Sequence, residues 1–234
     1  MWPEAVRDVH VAELQQFVAP GVHLDVESVA AVSDYENEHG ITLGLVEKIA
    51  CDPNIGRAAQ RLVARGAAAV AYGCTSGSYV LGSEGDAAIV EQLHDAGRTP
   101  ATTTSTAVVV ALRELAIHRV AVLSPHVEAL NDRLRAYLAS AGITVVNVVG
   151  LNLLGDIELI DPAETSRIVE TRVMVPTAEA VFVSCTGMRT AAVIEHLERA
   201  TAVPIITANQ ATIWHVARLA GMPYRRPGRG RLLA

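Results

Sequence analysis

The sequence predicts an α/β protein made of two pseudo-symmetric halves, each a doubly wound parallel β-sheet with helices on both faces. Two observations predict this fold: apolar runs of strand length alternate with stretches of helical periodicity, and the alternation occurs twice along the 234 residues. A third observation is that each half contains one Cys-Thr pair directly after an apolar run. Parallel strands are joined by crossover helices, so this alternation favours parallel sheets.

The second half, residues 117–221, shows the alternation most clearly. Leu130, Leu134 and Leu138 give its first helix an apolar stripe, Pro162 suits the first turn of the next helix, and Gly221 suits the end of the last one. In chain order we predict a strand at Arg119–Ser124, a helix at Val127–Ala141, a strand at Ile143–Val149, a helix at Pro162–Val173, a strand at Ala180–Ser184, a helix at Met188–Arg199, a strand at Val203–Thr207 and a helix at Gln210–Ala220.

The first half, residues 1–116, repeats the scheme. In chain order we predict a helix at Glu4–Val18, a strand at Val22–Val32, a helix at Asn54–Arg65, a strand at Ala67–Tyr72, a helix at Glu84–Ala96, a strand at Thr99–Thr103 and a helix at Thr106–Ala116.

One strand of the second half has no equivalent in the first. When the halves are aligned on their Cys-Thr pairs, Arg119–Ser124 lacks a counterpart before Glu4. The first strand of a doubly wound sheet usually lies centrally, so its loss would expose an apolar edge. We expect either a strand encoded upstream of Met1, the interpretation that we favour, or a degenerate first half.

Composition and charge exclude several classes of function. The formal net charge of −6 and the aromatic content of 4% argue against nucleic-acid binding. The basic C-terminal tail, residues 222–234, is interpreted as a solvated or partner-contacting segment. Apolar runs are too short to span a bilayer and the N-terminus lacks the pattern of a secretory signal, so we expect a cytoplasmic protein without membrane contact.

Two of the three cysteines are the candidate catalytic residues. Cys74 and Cys185 each follow a predicted strand and precede small residues, whereas Cys51 lacks this context and is interpreted as structural. A thiol at such a strand end lies near free backbone N–H groups and the positive end of a helix dipole, which favour a thiolate and bind anions. We therefore expect two thiols facing each other across a cleft. Their spacing suits neither a disulfide framework nor a zinc site.

Small polar residues beside the cysteines are candidates for substrate binding. Thr75 and Thr186 can offer hydroxyl and N–H groups to a carboxylate, or cap the following helix, or do both. Ser76 extends the first loop, and Gly187 permits close approach of a substrate to the second.

Two further places in the sequence are open to more than one interpretation. The Thr102–Ser105 run, at the end of a strand and the start of a predicted helix, is either a carboxylate cradle or an N-cap cluster, and Thr104 and Ser105 are its candidate substrate-binding residues. Arg189, in the first turn after Cys185, either lowers the pKa of that thiol or binds a second carboxylate, or else forms a surface ion pair.

These motifs resemble those of the aspartate/glutamate racemase superfamily. The likeness is greatest to its maleate cis–trans isomerases and arylmalonate decarboxylases and covers nearly the whole chain. It is carried by Gly73-Cys74-Thr75-Ser76, Ser184-Cys185-Thr186, the Thr102–Ser105 run and the ending Arg226–Leu233. The resemblance implies two pseudo-symmetric α/β halves with an active site between them and no metal or organic cofactor.

The resemblance also implies a role for individual residues. Cys74 matches the nucleophile of the isomerases, and Cys185 matches their proton donor or acceptor. Arylmalonate decarboxylases have glycine where Cys74 stands, so two thiols favour an isomerase or a racemase. Where these enzymes have a tyrosine, this chain has His126, either a polar anchor for the substrate or a plain helix-start histidine. As an anchor, its imidazole is expected to bind an anion best when protonated.

The sequence thus predicts a cofactor-independent isomerase that acts on a small dicarboxylate, with conversion of maleate to fumarate as the preferred reaction. One alternative is a racemase, epimerase or decarboxylase-like enzyme acting on a related carboxylic acid. The other is a degenerate paralogue that binds small anions. A homo-oligomer is expected.

Overall fold

A computed structural model describes residues 4–29, 40–222 and 224–234 of the chain. In chain order the helices and strands are α1 (Glu4–Gln15), α2 (Leu43–Ala50), α3 (Asn54–Ala64), β1 (Val70–Tyr72), α4 (Thr75–Tyr79), α5 (Gly82–Asp95), β2 (Ala101–Thr103), α6 (Thr104–Glu114), β3 (Arg119–Ser124), α7 (Glu128–Ser140), β4 (Thr144–Gly150), α8 (Pro162–Ile168), β5 (Ala180–Val183), α9 (Ile194–Thr201), β6 (Ile205–Thr207) and α10 (Ala208–Leu219).

The second half contains a four-stranded parallel sheet in the order β4-β3-β5-β6. Its two inner strands are almost fully buried, and the side chains of Val120 to Leu123 have no exposed surface. Each such valine or leucine stabilises the fold by about 1.5–3 kcal/mol through removal of its apolar surface from water. The predicted α/β class with parallel sheets and all four predicted strands of this half are confirmed.

The first half contains a two-stranded parallel sheet in which Val70–Tyr72 pairs with Ala101–Thr103. The strand predicted at Val22–Val32 is absent from residues 22–29, and residues 30–32 lie outside the described part of the chain. Ion pairs hold this segment instead: Asp25 and Glu27 bind the guanidinium of Arg65. The predicted strand before Met1 stays a prediction.

Helices α6 and α10, each following the last strand of its half, pack against each other. Both begin in the same way, since Thr103 accepts a hydrogen bond from the Thr106 N–H and Thr207 accepts one from the Gln210 N–H. The largest core cluster contains side chains from both halves. The predicted division into residues 1–116, 117–221 and 222–234 stays a prediction.

The helix predicted at Met188–Arg199 begins later than expected, at Ile194. The reason lies in α1: the carboxylate of Glu13 accepts hydrogen bonds from the Thr190 N–H at 2.6 Å, the Ala191 N–H at 2.8 Å and the Thr190 hydroxyl at 3.2 Å. Glu13 thus caps the Thr190 and Ala191 N–H groups, and because unpartnered N–H groups of this kind stand at the start of a helix, the helical turns begin after these residues and not at Met188. The residues after Cys185 therefore remain a turn.

The C-terminal tail, interpreted from the sequence as solvated or partner-contacting, is only partly solvated: Arg225 and Arg231 are exposed. Leu232 and Leu233 are buried, and the Tyr224 hydroxyl donates to the Phe17 carbonyl. The Arg229 guanidinium donates to the Gln16 carbonyl at 3.0 Å. The tail thus packs against the end of α1, where the Arg229 side chain forms a hydrogen bond instead of facing solvent. No helix in the described part of the chain is long and apolar enough to cross a membrane.

Candidate active site

The two cysteines lie after the carboxyl ends of β1 and β5, and the loops that carry them touch. The Thr186 hydroxyl donates a hydrogen bond to the Gly73 carbonyl at 3.3 Å. Cys74 and Cys185 are both partly buried, and a negative charge on Cys74 raises the pKa of Cys185. The structure therefore brings together the two thiols that the sequence placed in different halves.

Cys74 is held at the start of α4 by its own loop. Its Sγ accepts a hydrogen bond from the Gly77 N–H at 3.4 Å and lies 3.9 Å from the Ser76 hydroxyl. A Cβ on Gly77 would lie 2.6 Å from the Tyr72 hydroxyl oxygen and 3.1 Å from Cys74 Sγ. Glycine is therefore needed where the phenol of Tyr72 approaches the thiol. Burial and then the charge of Cys74 hold the pKa of Tyr72 well above its usual value.

Cys185 has a strained backbone, with φ at +145°, which L-amino acids rarely adopt. Its Sγ accepts a hydrogen bond from the Gly187 N–H at 3.3 Å. Burial nevertheless raises the pKa of Cys185 to about 12, because the Gly187 and Met188 N–H groups offset it incompletely and the charges of Cys74 and Glu158 add to it. Cys185 is therefore a protonated thiol near neutral pH, contrary to the expectation that both loops favour a thiolate.

Arg189 binds the backbone of the loop before α8. Its guanidinium donates to the Ile160 carbonyl at 3.2 Å. Its predicted effect on the Cys185 thiol and its predicted carboxylate binding stay predictions.

A set of buried polar atoms lies at the same edge of the two sheets. These atoms have no hydrogen-bond partner among the described residues, and each belongs to a residue at or just after the carboxyl end of β1, β3, β5 or β6. They are Thr75 Oγ1, both ring nitrogens of His126, Ser184 Oγ and Asn209 Oδ1. An unpaired buried polar group costs about 1–3 kcal/mol, so several at one edge indicate a site for a polar ligand.

His126 occupies this edge as a neutral group. Its side chain is 2% exposed, and burial lowers the pKa of the imidazole to about 4. The expectation that a protonated His126 binds the substrate anion is therefore wrong near neutral pH. The neutral ring still offers one N–H donor and one acceptor nitrogen.

Thr104 and Ser105 use their hydroxyl groups inside the protein. Thr104 donates to the Tyr72 carbonyl at 3.2 Å, and Ser105 donates to the Thr75 carbonyl at 3.1 Å. Thr103, not Thr104, caps the helix. Both hydroxyls thus fix the Cys74 loop to α6. The N-cap interpretation of the Thr102–Ser105 run is confirmed at Thr103, and the carboxylate cradle stays a prediction.

The structure also adds His10 and Glu158 to the surroundings of Cys185. The His10 Nε2 atom and the Ile157 side chain each lie 3.2 Å from the position of a Cβ on Gly187, so glycine permits this close approach. Burial lowers the pKa of His10, and the charge of Glu158 partly offsets this. Neither residue stands near a cysteine in the sequence, so no sequence motif pointed to them.

Cys74 borders a cavity of about 780 Å³. Its lining comes mainly from residues 21–29 and 65–74 and from the helices α1, α3 and α10. Tyr72, Thr186 and Asn209 line it near the thiol. In the described residues no group of three or more His, Cys, Asp or Glu side chains could hold a metal ion.

Comparison with known proteins gives consistent relatives. The family model described as arylmalonate decarboxylase matches residues 38–233. The arylmalonate decarboxylase of Bordetella bronchiseptica is 34% identical over 179 residues, which are 74% of each chain. The maleate isomerase of Nocardia farcinica is 28% identical over 151 residues, which are 63% of this chain and 60% of that protein.

One solved structure of the Nocardia farcinica maleate cis–trans isomerase also resembles this fold. It is a Cys-to-Ser variant with a covalently bound succinylcysteine intermediate. The TM-score is 0.82 at 21% identity, and the match covers 98% of this chain and 93% of that one. At this identity the likeness shows the shared fold.

Proposed function

We propose that this chain, which belongs to the maleate isomerase and arylmalonate decarboxylase family, isomerises a small dicarboxylate. The preferred reaction is the conversion of maleate to fumarate by two cysteines, without a cofactor. The observation that carries the proposal is the contact between the two cysteine loops, beside buried polar groups that lack partners. The enzymes named among its relatives include both an isomerase and a decarboxylase.

In the proposed reaction Cys74 is the nucleophile. Its thiolate sulfur bonds to one alkene carbon, and the electron pair of the double bond moves to the neighbouring carbon, where the adjacent carboxylate delocalises it. Cys185 then gives its proton to that carbon, which leaves a succinyl thioether with a single C–C bond and a Cys185 thiolate. Rotation about this bond, return of the proton to Cys185 and loss of the Cys74 thiolate yield fumarate.

The proton donor needs to hold its proton until the carbanion forms. The pKa of Cys185, raised to about 12, meets this requirement near neutral pH. The hydroxyl of Thr75 and the neutral ring of His126 are available as hydrogen-bond donors to the substrate carboxylates. The succinylcysteine of the Nocardia relative supports chemistry of this kind.

A racemase or a decarboxylase is the alternative. The arylmalonate decarboxylase relative is 34% identical to this chain and the maleate isomerase relative 28%, so a decarboxylase is kept among the alternatives. A racemase would use the same two thiols to exchange a proton on either face of an α-carbon. Cys74 opposes decarboxylation, because the resemblance implies glycine at that position in decarboxylases. Cytoplasmic location and homo-oligomer formation are further parts of the proposal.

One assay in D2O separates these reactions. The protein is incubated with maleate, with phenylmalonate and with a chiral 2-arylpropionate, and the products are followed by NMR. Fumarate from maleate supports the isomerase. Deuterium at the α-carbon with loss of optical rotation supports the racemase, and CO2 from phenylmalonate supports the decarboxylase. The absence of turnover on all three would contradict the enzymatic proposals and favour an anion-binding protein.

A further inference from the structure

We propose that Ser78 is a positioning residue for Cys74: its hydroxyl, together with that of Ser105, holds the single turn of α4 in the form that keeps the Gly77 N–H on Cys74 Sγ. The inference rests on the reaction proposed above, in which Cys74 is the nucleophile. It assigns to Ser78 no contact with the substrate and no proton transfer.

Helix α4 depends on contacts outside itself. It has five residues, Thr75–Tyr79, whereas an isolated helix in water needs about 12–15 residues to be stable. Its middle residue is Gly77, which lowers helix stability by about 1 kcal/mol relative to alanine. The Gly77 N–H donates to Cys74 Sγ at 3.4 Å, and this bond stabilises a thiolate more than a thiol because a charged acceptor binds a donor more strongly. The geometry of this donor therefore has to be fixed from elsewhere.

The hydroxyl of Ser78 bonds the end of this turn back to its beginning. The side chain is buried, and its Oγ lies 2.8 Å from the carbonyl oxygen of Cys74 and 2.8 Å from that of Thr75. The Ser78 N–H also donates to the Cys74 carbonyl, at 3.1 Å. The side chain thus lies against the two peptide groups that carry the thiol and begin the helix.

Ser105 connects the same turn to α6. It is the second residue of that helix, and its N–H, which has no partner within the first turn, donates to Ser78 Oγ at 3.2 Å. The two hydroxyl oxygens lie 2.7 Å apart, and Ser105 Oγ lies 3.1 Å from the Thr75 carbonyl oxygen. Since each hydroxyl has one proton, Ser78 can donate to the Cys74 carbonyl while Ser105 donates to the Thr75 carbonyl. Ser78 Oγ is therefore the atom at which the Cys74 loop meets the eleven-residue helix α6.

Removal of this oxygen has a general and a specific consequence. In Ser78→Ala the Ser105 N–H is buried without its acceptor, which lowers the stability of the fold. The first turn of α4 also loses its bond to α6, so the Gly77 N–H is no longer held on Cys74 Sγ. A role in folding alone would produce the first effect without the second, and this difference is the basis of the test.

The test compares Ser78→Ala with its parent in a full chain that has Cys51→Ala and Cys185→Ala, so that Cys74 is the only thiol. The rate of alkylation by iodoacetamide, an uncharged reagent that reacts with the thiolate, is measured by mass spectrometry as a function of pH. Loss of the Gly77 N–H from a charged sulfur is expected to lower the rate at neutral pH about tenfold and to raise the pH of half-maximal rate by about one unit. In the chain with all cysteines, kcat for maleate is expected to fall about tenfold with KM within about twofold.

The matched control is Ser166→Ala. Ser166 is also a buried serine in a helix, and its hydroxyl donates to the carbonyl four residues earlier, that of Pro162, at 3.2 Å. This variant should lower the Tm and leave the pH profile of Cys74 unchanged. Tyr72 and Tyr79, whose pKa values are raised in part by the charge of Cys74, are the same in every chain compared.

Ser105→Ala is the second variant. It removes the Ser105 hydroxyl but keeps the Ser105 N–H and the bond from Ser78 to the Cys74 carbonyl, so a smaller slowing of alkylation, about threefold, is expected. If Ser78→Ala does not fold, Ser105→Ala decides the question by the same measurement, and a rate equal to that of the parent chain contradicts the proposal.

Two further results would overturn the proposal. A pH profile of Ser78→Ala equal to that of the parent chain, with a lower Tm, would mean that Ser78 acts in folding alone. An equal shift in Ser166→Ala would mean that the thiolate responds to any loss of stability. If the parent chain does not isomerise maleate but the profile of Ser78→Ala still shifts, the proposed reaction fails while the positioning of Cys74 by Ser78 stands.

Discussion

Thr186 donates its hydroxyl hydrogen bond to the carbonyl of Gly73, and so connects the residue after one cysteine to the residue before the other. The Thr186 carbonyl in turn accepts a hydrogen bond from Asn209 Nδ2 at 3.0 Å. This short chain fixes the spacing between the two cysteine loops. The reaction proposed here depends on that spacing, because both thiols act on one small molecule.

Thr186→Val is therefore expected to lower kcat about tenfold, since the side chain keeps its volume but loses the donor to Gly73. Thr186→Ser keeps the hydroxyl and should retain most of the activity. The measurement is the initial rate of fumarate formation, with Tm as a check on folding. Equal rates for both variants would show that this hydrogen bond does not control the spacing.

The two cysteines should differ in role. Cys74→Ala is expected to abolish a covalent adduct with maleate, whereas Cys185→Ala should still form an adduct but turn over slowly, because the proton donor is missing. Intact-mass spectrometry after incubation with maleate measures the adduct. Cys51→Ala is the matched control and should behave like the parent chain, since Cys51 lies exposed after α2. Turnover by Cys74→Ala at the parent rate would refute its assignment as the nucleophile.

The low pKa of His126 predicts how the stability of the protein depends on pH. Burial lowers the pKa from 6.5 to about 4 in the folded state. The neutral ring thus contributes stability that is fully present above pH 6.5 and is lost as the pH falls through 4, by about 3 kcal/mol. Urea unfolding at pH 7 and pH 4 measures this loss, and His126→Gln, which cannot titrate, should show a smaller one. An equal loss in both proteins would contradict the burial of a neutral imidazole.

The same residue should not make substrate binding depend on pH between 5.5 and 8, because the ring stays neutral over this range. His126→Tyr restores a neutral hydroxyl donor and is expected to raise the activity on maleate or leave it unchanged. The check is KM for maleate against pH in both proteins. If KM rises with pH as a histidine loses its proton, and this rise is absent in His126→Tyr, the ring is charged when it binds substrate.

Gly77 should tolerate no side chain. In Gly77→Ala the added Cβ would lie 2.6 Å from the Tyr72 hydroxyl and 3.1 Å from Cys74 Sγ, so the phenol or the thiol has to move. We expect at least a tenfold loss of kcat, measured as fumarate formation, because the nucleophile is displaced. Gly44→Ala, in α2, is the control: its Cβ meets nothing within 4 Å, and it should leave activity unchanged and stabilise the helix by about 0.5–1 kcal/mol. Unaltered kcat in Gly77→Ala would place the reaction elsewhere.

By itself the sequence determined the fold class, the four strands of the second half and the loops that carry the two thiols. Strand β3 begins and ends where predicted, at Arg119 and Ser124, because a buried parallel strand is a continuous apolar run and the next residue is a proline. Such signals are local, so they are readable without knowing what packs against them.

Only the tertiary structure determines the protonation states of the site residues and the groups that they contact. The loop motif around Cys185 favours a thiolate, yet burial raises its pKa to about 12, and burial depends on the whole packed core. Glu13 binds the Thr190 N–H ahead of α9 from 177 residues away in the chain. Contacts of this kind join residues that are distant in the chain, and no local pattern of residues records them.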